Sequence, residues 1–170
     1  GSEMCIRDRK NGRKFRFYKF RSMRANAEDM LKDLLKDNEM DGPVFKMAND
    51  PRITRVGSFI RKTSLDELAQ LVNVLKGDMS IVGPRPEIPH FVEQFRDEVP
   101  LYMIRHMVKP GMTGLAQVSG YRGDTSIRGR IDCDIAYIEN WTIWLDIRII
   151  LRTFTSLVND ETLPPLHREK

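Results

Sequence analysis

The sequence of 170 residues is poor in the residue types that form disulfide frameworks and zinc sites. Its two cysteines, Cys5 and Cys133, are far apart along the chain. Its three histidines, His90, His106 and His167, are scattered. Because neither residue type has metal-ligand or redox spacing, zinc is disfavoured and a reducing compartment is expected.

The sequence also lacks a long uninterrupted hydrophobic run. No apolar stretch of about 18 residues, the length that crosses a membrane, is present, and no signal peptide is visible. The most apolar late segment, residues 141–158, is interrupted by Asp146, Arg148 and Arg152. The pattern therefore predicts no membrane-crossing helix within this sequence.

The charge balance is only mildly one-sided. The chain has 28 Lys and Arg against 24 Asp and Glu, which gives a net charge of +4. This balance suits an anionic partner such as a phosphate, a nucleotide or an acidic membrane surface. Hydrophobic residues make up 41% of the chain, which is enough for one domain with a buried core.

The first nine residues, GSEMCIRDR, look foreign to the rest of the chain. The Gly-Ser start resembles a cloning remnant, and the next residues resemble read-through from a sequencing adapter. We therefore expect residues 1–9 to be a non-native leader on a fragment of a longer protein. Residues 10–160 are expected to form one domain, and residues 161–170 a polar tail.

The first part of the chain predicts a strand and a helix. Residues 13–21, RKFRFYKFR, alternate basic and aromatic side chains, with a slip of register at Tyr18. This alternation indicates a strand. Asn26 predicts the start of a helix that continues to about residue 37. Turns are expected at 41–43 and 49–51.

The second part predicts more helix than strand. A helix is expected from Ser64 to Gly77. Its buried face should consist of five apolar residues: Leu65, Leu68, Leu71, Val72 and Leu75. Further predicted elements are a strand at 79–82, helical segments at 87–107 interrupted at Pro100, a short strand within 110–120, and two helices over 127–158. The fold class is therefore α+β or mixed α/β, a compact domain with several helices around a small sheet.

Two carboxylates, Asp66 and Glu67, lie side by side at the start of the predicted second helix. Ser64 and Glu67 have the spacing of a capping box, in which each side chain accepts a hydrogen bond from the other residue's backbone N–H. The helix dipole would also favour a negative charge at Asp66. Capping alone could therefore explain both acids, and that interpretation stays open from spacing alone.

Three further features indicate a phosphate site. Arg61 begins a basic stretch just before the acid pair, and basic side chains near a helix N-terminus bind anions. Arg85 is held between two prolines, and a guanidinium on a stiff backbone suits bidentate phosphate binding. The glycines of residues 110–120 would let the backbone approach a ligand, although an ordinary strand and turn would have the same pattern.

Together the acids and the arginines indicate phosphoryl transfer. A carboxylate can attack phosphorus and form an acyl phosphate. Mg²⁺ prefers carboxylates combined with phosphate oxygens and water, and with arginines it would neutralise the phosphoryl oxygens. These residues alone do not reveal the substrate.

Four ordered motifs resemble the bacterial sugar transferases, which are monotopic phosphoglycosyl transferases that initiate exopolysaccharide, capsule or O-antigen assembly. The motifs are KFRFYKFRSM, DPRITRVGSFIRKTSLDELAQLVNVLKGDMSIVGPRP, RHMVKPGMTGLAQVSGYRGDT and DIAYIENWTIWLDIRII. The resemblance extends from about residue 11 to residue 158. It implies that residues 10–160 are a phosphoglycosyl transferase catalytic domain.

The resemblance implies transfer of a sugar 1-phosphate from a UDP-sugar to a polyprenyl phosphate, usually undecaprenyl phosphate, with release of UMP. It implies that Asp66 is both the nucleophile and a ligand of Mg²⁺, with Mn²⁺ able to substitute. Glu67 would assist as the second acid of the pair. The implied phosphate- and substrate-binding residues are Arg61, Arg85, Lys109, Gln117 and Arg122. The segment GYRGDT resembles the subgroup that uses UDP-glucose or UDP-galactose.

The resemblance also implies that the full-length protein acts at the cytoplasmic face of the bacterial inner membrane. Relatives have a hydrophobic re-entrant helix upstream of the first motif, and we expect this anchor to be missing here. A C-terminal apolar stripe with interleaved arginines is typical of a helix at the membrane surface. A helix that packs in a core has the same pattern, so both interpretations stay open. The stripe consists of Trp141, Trp144, Ile147, Leu151 and Phe154.

Two other functions are compatible with the sequence. One is a basic module that binds nucleic acid or acidic membranes without catalysis, because residues 13–21 mix basic and aromatic side chains. No RNA- or DNA-binding motif accompanies that segment, so no nucleic-acid partner is expected. The other is an inactive, truncated remnant of the enzyme. Mg²⁺-dependent release of UMP would distinguish the enzyme from the binding module.

Overall fold

The computed structural model describes residues 2–8, 10–34, 50–121 and 126–158. It combines helices with two small sheets, which confirms the predicted fold class. The strands are β1 (Ser2–Asp8), β2 (Lys14–Phe20), β3 (Ser80–Val82) and β4 (Gly111–Thr113). The helices are α1 (Ala27–Leu34), α2 (Arg55–Lys62), α3 (Gln70–Leu75), α4 (Pro89–Glu98), α5 (Leu115–Val118), α6 (Ile127–Glu139) and α7 (Ile143–Val158). Short 3₁₀ turns lie at Lys10–Gly12, Leu65–Glu67 and Tyr102–Met107.

The strands pair two by two. β1 pairs with β2, and β3 pairs in parallel with β4, with Ser80 opposite Gly111 and Val82 opposite Thr113. A parallel pair needs a crossover connection, and α4 with the 3₁₀ helix Tyr102–Met107 supplies it. Because parallel strands end at the same edge, the Gly-Pro-Arg-Pro segment after β3 leaves the sheet beside the end of β4.

The chain divides into two compact units. One comprises Gly1–Glu3 and Lys19–Leu68, and the other comprises Met4–Tyr18 and Ala69–Lys170. Apolar side chains of the second unit form three buried clusters. These are Phe15, Phe17 and Met79; Val99, Tyr102 and Ile131; and Val82, Leu115, Val118, Tyr137 and Ile149.

The first unit is held together around the start of α2. Met23 and Ile53 form an antiparallel bridge, and the backbone N–H of Thr54 donates to the Ser22 carbonyl at 3.1 Å. The Thr54 hydroxyl accepts a hydrogen bond from the Gly57 N–H at 2.9 Å, which is a side-chain cap of the helix. These bonds fix where α2 begins.

Several predicted elements are confirmed. Residues 13–21 contain β2, in which Phe15 and Phe17 are buried and Tyr18 is not, as the register slip predicts. The strand at 79–82 is β3, and the helical segment 87–107 is interrupted between α4 and the next 3₁₀ helix. Residues 127–158 form two helices separated near Trp141.

The predicted helix from Ser64 to Gly77 was wrong at its start and in its orientation. The acid pair lies in the 3₁₀ turn, and α3 begins only at Gln70. The five apolar residues predicted to be buried are exposed at 39–87% of their surface: Leu65, Leu68, Leu71, Val72 and Leu75. The buried residues of the segment are instead Asp66, Gln70 and Asn73.

The polar face of α3 is turned inward because it completes the hydrogen bonding of β2. The Asn73 side-chain amide donates to the Arg16 carbonyl at 2.6 Å, and its oxygen accepts from the Tyr18 N–H at 3.1 Å. A buried backbone group without a partner is costly, so the strand selects this face of the helix. Periodicity identifies the two faces of a helix, but it does not say which of them meets the core.

Some predictions fall outside the described residues. These are the continuation of the first helix through 35–37, the turn at 41–43, part of the turn at 49–51, and the tail at 161–170. Residues Ser2–Asp8, part of the predicted leader, form β1. The domain boundaries at 1–9, 10–160 and 161–170 stay predictions. Among the described helices, none is both long enough and apolar enough to cross a membrane.

Candidate active site

The acid pair is held close to a lysine. Asp66 is only 3% exposed, and its Oδ2 lies 2.9 Å from Nζ of Lys19, at the end of β2. Oε1 of Glu67 lies 3.9 Å from the same Nζ. Two carboxylates therefore converge on one cation, within the first unit. A metal ion bound by two acids would need the same close approach of two carboxylates.

The capping interpretation of the acid pair was wrong. Ser64 makes no side-chain hydrogen bond to the following turn, and its backbone is left-handed, with φ of 55° and ψ of 17°. The N–H of Glu67 donates instead to the Ser64 main-chain carbonyl at 3.2 Å. The α-helix begins only at Gln70, so the predicted capping box at its start is not formed by Ser64.

The left-handed backbone at Ser64 is itself informative. A residue other than glycine in this region costs about 1–2 kcal/mol, and such residues concentrate where a neighbouring side chain must be aimed. Here the strained residue lies two positions before Asp66. The strain thus accompanies a turn that buries a carboxylate, which is consistent with a functional site.

Lys19 is a site residue that the sequence reasoning missed. A signal was present, because alternate residues of a strand share a face and Lys19 follows Phe15 and Phe17 at that spacing. A lysine that continues a row of buried aromatics is expected to need a partner. The motif also fits a basic-aromatic surface, and that interpretation requires no partner for the lysine.

Arg85 lies in the second unit, in the segment after β3. The segment is attached to β4, because the Gly83 N–H donates to the Thr113 carbonyl and the Gly111 N–H donates to the Pro84 carbonyl, both at 2.9 Å. Arg85 lines a small pocket in this unit. Its lining consists of Asp8, Pro84, Arg85, Pro86, Arg105, His106, Val108 and Pro110.

Gly83 and, within residues 110–120, Gly111 serve backbone packing. A Cβ on Gly83 would lie 2.6 Å from the Lys109 carbonyl oxygen, and one on Gly111 would lie 2.1 Å from the Gly83 nitrogen. Both distances are far shorter than real Cβ contacts, so the two chain segments can approach only because both residues are glycine. In the described residues these glycines explain the close strand pairing, and no ligand is required to account for them.

The other predicted binding residues lie in different places. Arg61 is exposed in the last turn of α2, in the same unit as Asp66. Lys109 is exposed just before β4, in the second unit with Arg85. Gln117 is buried in α5, and its amide donates to the Met112 carbonyl at 3.2 Å. Arg122 lies outside the described residues.

A buried charge network lies behind Arg85 in the second unit. Nη2 of Arg105 donates to the Arg85 carbonyl at 2.5 Å and lies 3.2 Å from Oδ2 of Asp134. Burial raises the pKa of Asp134 to about 6, although the nearby guanidinium groups of Arg105 and Arg130 act in the opposite direction. The Arg130 side chain donates to Oε1 of Glu87 at 2.8 Å.

The acid pair fits Mg²⁺ better than it fits a softer metal. No group of three His, Cys, Asp or Glu side chains in the described ranges could hold a metal ion by itself. Mg²⁺ does not need such a group, because it binds one or two carboxylates and completes its shell with phosphate and water. The convergence of Asp66 and Glu67 on the Lys19 ammonium gives the two-carboxylate part of that set.

Comparison with known proteins gives these residues a context. Residues 5–160 match the model of a family described as bacterial sugar transferase. The chain is 53% identical over 144 residues to galactosyl transferase CpsE of Streptococcus agalactiae serotype III (strain NEM316), a match that covers 85% of this chain and 31% of that protein. It is 52% identical over 151 residues to undecaprenyl-phosphate galactose phosphotransferase of Salmonella typhimurium, which covers 85% of this chain and 30% of that protein.

The name of a third relative specifies glucose instead of galactose. The chain is 44% identical over 154 residues to UDP-glucose:undecaprenyl-phosphate glucose-1-phosphate transferase of Escherichia coli (strain K12), a match that covers 88% of this chain and 31% of that protein. These matches define the class as sugar-transferring enzymes. More particularly, the chain belongs to the bacterial sugar transferase family. It spans about a third of the length of the curated relatives that it matches.

Proposed function

We propose that this chain is the catalytic part of an enzyme that moves a sugar 1-phosphate from a UDP-sugar to undecaprenyl phosphate. The observation that carries the proposal is the buried Asp66 carboxylate, which lies with Glu67 at the Lys19 ammonium. The relatives' names support the reaction, because they specify undecaprenyl phosphate and a sugar phosphate. The physiological setting that this chemistry suggests is assembly of a surface polysaccharide on a lipid carrier.

In the first half of the reaction, Asp66 is the nucleophile. One of its carboxylate oxygens attacks the phosphorus that bears the sugar, and the bond from that phosphorus to the oxygen bridging the two phosphates breaks. UMP leaves with the bridging oxygen, and an aspartyl phosphosugar remains. The Lys19 ammonium, 2.9 Å from Oδ2 of Asp66, holds the carboxylate in a fixed orientation, which a nucleophile requires.

In the second half, the lipid phosphate is the nucleophile. One of its oxygens attacks the phosphorus of the aspartyl phosphosugar, and the bond to the Asp66 oxygen breaks. The carboxylate is restored and the sugar leaves on a lipid diphosphate. Glu67, whose side chain is 23% exposed, is positioned on the same lysine and assists as the second acid.

A divalent cation completes the proposed site. Asp66 would hold Mg²⁺, or Mn²⁺ in its place, which would withdraw charge from the phosphoryl oxygens when bound. Arg61 and Arg85 are proposed to contact the phosphates, since a planar guanidinium donates to two phosphate oxygens at once. Lys109, Gln117 and Arg122 are proposed to contact the substrates as the family motifs imply.

The donor is proposed to be UDP-galactose or UDP-glucose. The Streptococcus agalactiae and Salmonella typhimurium relatives are a galactosyl transferase and a galactose phosphotransferase, and the Escherichia coli relative is a glucose-1-phosphate transferase. The acceptor is a membrane lipid, so we propose that the whole protein works at the cytoplasmic face of the inner membrane. Exposed apolar side chains on α7 support a position at a lipid surface.

Release of UMP tests the proposed function. The chain, in lipid nanodiscs that contain undecaprenyl phosphate, is supplied with each UDP-sugar in turn, and UMP is measured with Mg²⁺, with Mn²⁺ and with excess EDTA. We expect UMP from UDP-galactose or UDP-glucose with either metal and none with EDTA. Full activity in EDTA would contradict the metal requirement, and no UMP from any UDP-sugar would contradict the reaction.

A further inference from the structure

The segment that carries Arg85 is fixed at successive peptide groups. Gly83 and Pro84 are bonded to β4 through the two 2.9 Å hydrogen bonds. Pro84 and Pro86 have no N–H, so this part of the chain has few main-chain donors, and its carbonyls matter more for holding it. The Arg85 carbonyl accepts a hydrogen bond at 2.5 Å from Nη2 of Arg105. The contact joins two parts of the second unit that are 20 residues apart in sequence.

Arg105 is built into the interior of that unit. It is only 4% exposed, and its Nη1 donates to the Tyr102 hydroxyl at 3.2 Å. Its guanidinium lies 5.2 Å from the centre of the Tyr102 ring and 3.2 Å from Oδ2 of Asp134 on α6. Asp134 is 2% exposed. The guanidinium is therefore held between the Asp134 carboxylate and the Tyr102 ring.

A second contact holds the same segment from α6. Nη1 of Arg130 donates to Oε1 of Glu87 at 2.8 Å, two residues after Arg85. Asp134 and Arg130 lie one helical turn apart on α6, so the helix holds the segment at two points. Buried ion pairs add little net stability on average, because desolvation offsets their attraction. We therefore expect these two ion pairs to fix the position of the segment rather than to add stability.

We infer that Arg105, oriented by Asp134, is a positioning residue that sets the main chain of Arg85 so that its guanidinium meets the substrate phosphate. The inference rests on the proposed function, because it takes Arg85 as a phosphate-binding residue. Arg105 itself acts through the Arg85 carbonyl. Loss of the Arg105 guanidinium would shift the segment that carries Arg85. A displacement of about 1 Å in a phosphate-binding group costs roughly a hundredfold in rate.

A double-mutant cycle tests this assignment. UMP release is measured with labelled UDP-sugar for the wild type, Arg105→Lys, Arg85→Ala and the double variant. We expect Arg105→Lys to lower turnover roughly ten- to hundredfold in the wild-type background, because lysine keeps the charge but lacks the fork that bonds both the Arg85 carbonyl and the Tyr102 hydroxyl. In the Arg85→Ala background it should lower turnover less than about twofold, because the residue that it positions is gone. Equal factors in both backgrounds would overturn the inference.

Hydrogen exchange supplies a readout that does not depend on turnover. In Arg105→Lys, we expect faster exchange in the peptide that spans residues 83–88, with little change in α5 or α7. Tyr137→Phe is the matched control, because its hydroxyl is also buried but bonds Asp146 at 2.9 Å and the Val82 carbonyl at 3.4 Å, whereas Arg105 bonds the Arg85 carbonyl. Exchange that rises equally throughout the unit, or equally in the control, would overturn the inference.

The two experiments separate the inference from the proposed function. If the wild-type chain releases no UMP, the proposed function fails, and exchange alone decides whether Arg105 holds the Arg85 segment. If Arg105→Lys does not fold, Asp134→Asn takes its place in both experiments. Asparagine keeps the volume of Asp134 but removes the charge that orients Arg105. The same non-additivity and the same localised exchange are expected from it.

Discussion

At the scale of single residues, the carboxylate of Asp66 is buried together with the cation that balances it. A buried carboxylate without a partner is strongly unfavourable, so its contact with Lys19 offsets the cost of burying Asp66 at 3% exposure. The backbone also contradicts the simplest structural explanation of the acid pair. No α-helix begins at Ser64, and the Ser64 side chain makes no cap bond.

Replacement of Lys19 should affect both stability and activity. Lys19→Met leaves the buried Asp66 carboxylate without its partner, which is expected to cost about 1–3 kcal/mol in free energy of unfolding and at least about tenfold in UMP release. Lys14→Met is the control, because Lys14 lies on the same strand and is exposed. Urea denaturation and the UMP assay measure the two effects. Equal behaviour of the two variants would show that the contact with Asp66 has no role.

A second pair of substitutions tests the capping assignment. Ser64→Ala should change the free energy of unfolding by less than about 0.5 kcal/mol, because the Ser64 side chain makes no cap bond. Thr54→Ala should cost about 1–2 kcal/mol, because it removes the hydroxyl that accepts from the Gly57 N–H. Urea denaturation under identical conditions compares them. A larger loss for Ser64→Ala than for Thr54→Ala would restore the capping box.

At the scale of elements, α3 and α7 each expose a row of apolar side chains. The sequence predicts both rows from their helical spacing. On α7, Trp144, Leu151 and Phe154 are exposed at 73%, 62% and 64%, while Ile149 on the opposite face is fully buried. The helix therefore packs in the core with one face and presents a second apolar face outward. Core packing is therefore shown for the face that carries Ile149, and the position of the outward face at a membrane surface stays a prediction.

Binding to vesicles tests the outward face of α7. The chain should bind vesicles of phosphatidylcholine with anionic phosphatidylserine weakly and in a salt-sensitive way, through Trp144 and Phe154 beside the exposed Arg148. Flotation at low salt should show binding that Trp144→Ser and Phe154→Ser reduce. Met107→Ser is the control, because Met107 is similarly exposed, at 62%, but lies on the 3₁₀ helix. No flotation at low salt, or an equal loss with Met107→Ser, would contradict a lipid-facing α7.

The comparison of sequence and structure shows what periodicity can determine. Alternation predicted β2, and the proline and glycine positions predicted where helices stop, because these signals are local. The orientation of α3 depends on backbone groups of β2 that need a hydrogen-bond partner. One of them is the Arg16 carbonyl, which is 57 residues away in sequence from its partner Asn73. The acid pair could be found from sequence, whereas the strand spacing that groups Lys19 with Phe15 and Phe17 does not say which residue it contacts. The same holds for Arg105, which no motif connects with Arg85.

At the scale of the whole molecule, stability should depend on pH through Asp134. Burial raises the pKa of Asp134 to about 6 from an ordinary value of 3.8, while Arg105 and Arg130 lower it and Glu87 raises it. A raised pKa means that the folded state favours the neutral acid. The associated stability is therefore complete below about pH 4 and is lost as the pH rises through 6.

The variant Asp134→Asn isolates this dependence. Asparagine does not titrate, so the free energy of unfolding of the variant, relative to the wild type, should rise by up to about 3 kcal/mol between pH 4 and pH 7. Urea denaturation at several pH values gives this difference. A constant difference across the range would show that Asp134 is ionised throughout, with a pKa near its ordinary value.

The central claim, that Asp66 carries the sugar phosphate, is tested most directly by the mass of the peptide that contains it. The chain is incubated with UDP-galactose or UDP-glucose and Mg²⁺ without a lipid acceptor, quenched and digested. We expect the Asp66 peptide to gain the mass of a sugar phosphate, and Asp66→Asn to melt near the wild-type temperature with no adduct and no UMP. An adduct on another residue, or normal turnover by Asp66→Asn, would contradict the covalent mechanism.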